Sequence, residues 1–235
     1  VFAKWLKARV APAQGTSRLA VRRGDRINAS NVAHTLSALL LQVPERTHPI
    51  EFWIRAIVFA GLVVWGWHFI AMSIGELGRS QSFMHLVNLP FHEAGHIFFR
   101  PFGRTAMYLG GSLFQVMVPL ILLVAFLLWH HNTFAAALML WWAAQSAMDV
   151  APYIADAREM KLTLLGGATG WEKMGMHDWQ QILIELGCLA CDDTLAAWVD
   201  GLAIVTMLAA MLWGAVVLWC QYRNLAWSAP PTAGG

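Results

Sequence analysis

His92-Glu93-Ala94-Gly95-His96 forms an H-E-x-x-H motif. On a helix, positions i and i+4 share a face, so both imidazoles can reach one metal ion while the intervening glutamate stands beside it. The chemistry this supports is hydrolysis with Zn²⁺ as cofactor: the ion polarises a carbonyl and acidifies a water, and Glu93 takes the proton. Catalytic zinc usually has three protein ligands and one open position, so a third ligand is needed. Asp149 and Asp156, on either side of Pro152, are the candidates, and their depth alone does not separate them. His68, His85, His130 and His131 read as interfacial or exposed side chains. A plainer account of the motif is a helix whose histidines bond only to neighbours. Location weighs against it, because ionisable groups within an apolar segment are costly to bury and are functional candidates by default.

The elements that must position these residues are apolar. Of 235 residues, 58% are hydrophobic and 13% charged, with a mean hydropathy of +0.52; a globular domain carries about 25% charge. This excludes a soluble cytosolic enzyme. The net charge of +2 suggests no nucleic-acid partner, and three cysteines cannot make a disulfide framework. The fold class expected is an all-α polytopic membrane protein with about five transmembrane helices. The first covers Phe52–Ile74, with one charge, Arg55, and Trp53, Trp65 and Trp67 as interfacial anchors. The second, Phe83–Phe99, holds Pro90 and Glu93. The stretch Thr105–Ala155 divides at His130-His131-Asn132 into spans near Met107–Trp129 and Phe134–Ala155, and the fifth span is Trp198–Cys220.

Three regions follow from this. Residues 1–50 are a basic arm, 51–222 a membrane core with a cytoplasmic loop over 156–197, and 223–235 a tail. In the arm, Phe2, Trp5, Leu6 and Val10 fall on one helical face among Lys4, Lys7 and Arg9, which suits either a helix on an anionic membrane surface or a disordered tail. A second apolar stretch, Val32, Leu36, Leu39, Leu40 and Val43, stops at Pro44. Arg and Lys placement puts the N-terminus in the cytoplasm. Five crossings then put Arg100, Arg104, Arg158, Lys161 and Lys173 inside and the C-terminus outside.

The H-E-x-G-H span, followed by an aspartate beyond a proline-bearing helix, resembles the site-2 protease family of intramembrane zinc metalloproteases over about residues 83–160. Asp149-Val150-Ala151-Pro152 stands where that family has N-x-x-P, and Ala155-Asp156-Ala157 where it has L-D-G. The resemblance implies metal ligands His92, His96 and Asp156, catalytic Glu93, and Asp149 as a neighbour organising water or ligands. Pro152 removes a helical hydrogen bond, which would let Asp156 turn towards the histidines. Gly103 and Tyr108-Leu109-Gly110-Gly111 are similar to the family's glycine-containing stretch, implying a substrate-binding edge strand at Gly110 and Gly111. The function implied is cleavage of a membrane-anchored protein near the cytoplasmic face of a cell membrane, such as a bacterial inner membrane. A non-proteolytic binding protein of the same fold and a small ion or metal transporter are the alternatives. Glu93 favours the enzyme, since neither alternative needs a base between its histidines.

Four polar residues, Gln115, Gln145, Ser146 and Asp149, can admit water to the site or join helices. Asp178 and Gln181 match a capping box, with His177 either part of that turn or folded back over the site as a second partner or gate. Cys188-Leu189-Ala190-Cys191 is a lone C-x-x-C without a matching pair, and Asp193 reads as the cap of the last span.

Overall fold

Helices start in this chain where a side chain can satisfy the first free N–H groups. His48 caps α1 (Pro49–Ala71), which has proline in its first turn. Ser73 and Glu76 form a reciprocal capping box on α2 (Ile74–Arg79), and Ser82 caps α3 (Phe83–Phe99). A 3₁₀ turn, Arg100–Phe102, leads through Gly103 at φ 104° into α4 (Arg104–Leu128). Asn132 caps α5 (Thr133–Ala155), and His177 caps α6 (Asp178–Glu185). The last helix, α7 (Asp192–Arg223), follows a second 3₁₀ turn at Leu189–Cys191. The computed structural model describes residues 37, 39–80, 82–165 and 167–225. The amphipathic reading of Phe2 to Val10, Val32 and Leu36 of the second apolar stretch, and most of the tail lie outside the described residues.

The fold class is all-helical, and among the described residues there are only isolated bridges, Thr47 with Leu225 and Thr163 with Thr169. Among the described residues, three helical stretches are long and apolar enough to cross a membrane: α1, α4 and the run Leu189–Arg223. Helix α5 has 23 residues but lies at the centre, where Ala136, Ala144, Met148, Ala151 and Ile154 are buried. Protein surrounds it, so small and polar residues that let helices approach replace large apolar ones. This explains why its composition differs from that of its neighbours.

Contacts along α5 set the helix directions. Phe134 packs with Val217 and Leu218, Met148 with Ala203 and Met207, and Ile154 with Ala196, so α7 runs antiparallel to α5. Helix α1 runs parallel to α5: Phe59 meets Phe134 near the start, and Phe69 meets Trp141 further along. Gln115 and Ser146 exchange hydrogen bonds of 3.0 Å, joining antiparallel α4 to α5. Four long helices therefore alternate in direction.

The motif helix does not run the length of the bundle. Phe83, its first residue, stacks 6.3 Å from Trp65, which meets Trp141 well inside the bundle. Its last turn reaches Gly110, close to where α4 begins, while Gly78 of α2 lies against Pro152. Thus α2 and α3 enter and leave at one end. The reason is length and polarity: 17 residues including Asn88, Glu93 and three histidines extend about 25 Å, short of the ~30 Å hydrocarbon layer. Thr47 donates its N–H to the Asn224 carbonyl at 2.9 Å, so the start of α1 and the end of α7 lie together.

Candidate metal centre

Helix α3 brings His92 and His96 onto one face, their ring centroids 4.9 Å apart. Glycines allow α4 to come close enough to matter. A Cβ on Gly111 would lie 2.6 Å from His92 Nε2 and 2.7 Å from His96 Cε1, and one on Gly110 would lie 2.7 Å from the Gly95 carbonyl oxygen. The space in front of the imidazoles therefore exists because residue 111 has no side chain.

Each imidazole is oriented from behind. His96 Nδ1 lies 2.8 Å from the Met107 carbonyl, which can only accept, so Nδ1 carries the proton. His92 Nδ1 lies 2.9 Å from Gln115 Oε1, whose Nε2 donates to the Ser146 carbonyl at 3.0 Å. That bond fixes the amide orientation and makes His92 Nδ1 a donor as well. Both Nε2 atoms thus face the space in front, where they hold a proton against a carboxylate or, once it is lost, offer a lone pair to a cation, the arrangement that outer partners impose on metal-ligating histidines.

The third group is Asp178. Its Oδ2 stands 3.2 Å from His92 Nε2 and 3.4 Å from His96 Nε2. One ligand atom from each of the three residues lies within 4.8 Å of the others, and two imidazoles with a carboxylate make a donor set of the catalytic-zinc type. Asp178 opens α6, with several independent tethers. The Tyr153 hydroxyl donates to its Oδ2 at 3.2 Å and accepts from its N–H at 3.0 Å. Trp179 Nε1 donates to Ser112 Oγ at 3.0 Å, and at the far end Arg104 and Thr105 bond to Glu185. Burial pushes the Asp178 carboxyl up, but hydrogen bonds from His92 and His96 outweigh it and hold the group below its ordinary value. Glu93 is half-buried beside the pair, without a hydrogen bond or ion pair among the described residues.

Asp156, the expected third ligand, is absent from this group. It ends α5 and accepts from the N–H groups of Lys161 and Leu162, each at 2.9 Å. Pro152 leaves α5 continuous to Ala155, so the expected swing after the proline does not occur. Its carboxylate instead lies 3.3 Å from Nε2 of His177, which is fully buried. His177 Nδ1 accepts from the Gln180 N–H at 3.2 Å, so its Nε2 carries the proton towards Asp156. Asp156 and His177 therefore set the start of α6 and, with it, Asp178. His177, not Asp178, is the cap of that helix.

The other expected site residues are placed as follows. Asp149 accepts from His85 at 3.0 Å and from Asn88 at 3.2 Å, apart from the three-residue group. Gly110 and Gly111 are buried within α4 instead of forming an edge strand. Close helix packing explains their presence. Cys188 and Cys191 form a disulfide, and Cys191, not Asp193, sits at the N-cap of α7. Comparison with protein-family models, curated proteins and solved structures returns no match. What the arrangement can do chemically follows from its geometry alone: bind a divalent cation and present a free carboxylate beside it.

Proposed function

We propose that this chain is a zinc-dependent intramembrane peptidase that hydrolyses a peptide bond in a membrane-anchored protein. The observation that supports this reading is the convergence of His92, His96 and Asp178 beside an uncommitted Glu93. Zinc held there would supply Lewis-acid polarisation of a peptide carbonyl and acidification of a water molecule. With zinc in place, Glu93 would serve as the base that accepts a proton from water and as the acid that gives it to the leaving amine. Met107 and Gln115 keep the two imidazoles in the tautomer that binds metal, while Tyr153 holds the carboxylate. A structural or transport site needs no base between its histidines, which is why the enzyme reading is preferred to either.

In a bilayer, α1, α4, α5 and α7 make four crossings and α3 enters from the same face at which it leaves. The start of α1 and the metal site then lie towards opposite faces of the bilayer. The test is to compare membranes containing wild type or Glu93→Gln protein by mass spectrometry of new peptide termini. Termini present only with wild type support the peptidase; identical sets from both contradict it.

A further inference from the structure

Two cavities along α1, between its exposed side and the residues that pack on the bundle, share His68 in their walls. One, about 770 Å³, is walled by Val58, Gly61, Leu62, Val64 and Trp65. The other, about 450 Å³, is walled by Ala71, Met72, Glu76, Arg79 and Ser80. Val58 to His68 covers about 15 Å of helix, so an apolar trough runs up α1 and ends in a polar pocket where α1 gives way to α2. A Cβ added at Gly61 would meet nothing within 4 Å, which confirms that the trough is open there.

The polar end carries both charges. Arg79 makes no ion pair among the described residues, and Ser80 and His68 stand beside it. Glu76 Oε2 accepts from the Ser73 N–H and Oγ at 2.7 and 2.6 Å, leaving Oε1 for another donor. The Ser80 hydroxyl is given to the Leu77 carbonyl at 2.8 Å, which leaves the guanidinium and the imidazole, a pair that suits a phosphate diester. A carboxylate at the same site suits a primary ammonium and disfavours a headgroup that is only anionic.

We propose that this groove binds one phospholipid with a phosphoethanolamine headgroup. Its acyl chain lies along Val58 to Trp65, its phosphate meets Arg79 and its ammonium meets Glu76. Position supports this occupant, because α1 is long and apolar enough to cross a membrane and the polar pocket is at its end, where headgroups lie. This assignment does not depend on the peptidase reading.

Native mass spectrometry of the full chain in mild detergent, titrated separately with phosphatidylethanolamine and phosphatidylglycerol, tests it. One phosphatidylethanolamine per chain should be retained in preference to phosphatidylglycerol. Arg79→Gln, an exposed change, should weaken retention about tenfold, the effect of losing one charged hydrogen bond. Gly61→Trp should do the same by filling the trough, and a circular dichroism spectrum equal to wild type shows that either variant is folded. Should Gly61→Trp fail to fold, Arg79→Gln decides alone. Equal retention of the two lipids, or wild-type retention by folded Arg79→Gln, overturns the proposal.

Discussion

At the scale of single residues, the centre depends on an absence as much as on its ligands. Any side chain at position 111 would occupy the space in front of His92 and His96. Gly111→Ala should therefore lower metal affinity strongly while leaving the helical content intact, measured by metal titration and circular dichroism; unchanged affinity would show that the imidazoles point elsewhere. Asp156 supports Asp178 at one remove. Asp156→Asn keeps an acceptor for Lys161 or Leu162 and should retain the metal, whereas Asp156→Ala frees two backbone donors and the buried His177. The second change should cost stability of about 1–3 kcal/mol for each donor left buried and unpaired, read by thermal unfolding. The pairing of His92 and His96 on one helix face was legible in the sequence because their spacing is local. Asp178 was not, since it lies 86 positions from His92 in a polar stretch. The turn pattern around it reads equally as a cap. The buried His177 beside it was the available signal.

At the scale of elements, most helices could be read from apolar runs and their stops. The break at His130-His131-Asn132 falls where expected, with His131 at φ 49° and Asn132 capping α5. Helix α3 has only 17 residues, and apolar content alone does not distinguish a passage from a half-length insertion. Its polar face shows the difference: Asn88 is buried, accepts from Trp142 Nε1 at 2.9 Å and donates to Gln145 at 3.0 Å and Asp149 at 3.2 Å. Asn88→Leu removes that junction and leaves the indole and amide groups without partners. It should destabilise the protein by about 2–4 kcal/mol, visible as a lower midpoint in thermal unfolding; a change under about 0.5 kcal/mol would mean the junction is solvated. Sidedness tests the insertion itself. Cysteines placed at positions 46 and 131, at the end where α1 starts, should label from one side of the membrane, and one at position 173 from the other. Labelling of 46 and 131 from opposite sides would contradict the insertion.

At the scale of the whole molecule, one central helix organises both stability and site. Met148 is fully buried between α1, α3 and α7, and Met148→Ala should cost about 2–5 kcal/mol, whereas truncating exposed Val64 should cost little. The fold class was open to sequence reasoning because composition and apolar length act on every helix alike. The pairing of the chain ends through Thr47 and Asn224 was not, since it arises from the count of passages and carries no local signature. The account stands or falls on its metal. Metal content measured by mass spectrometry on purified protein gives the most direct test, across wild type, Asp178→Ala and Asp156→Asn. We predict close to one zinc per chain in wild type and in Asp156→Asn, and loss of zinc in Asp178→Ala. Zinc retained without Asp178 but lost from Asp156→Asn would contradict the centre described here.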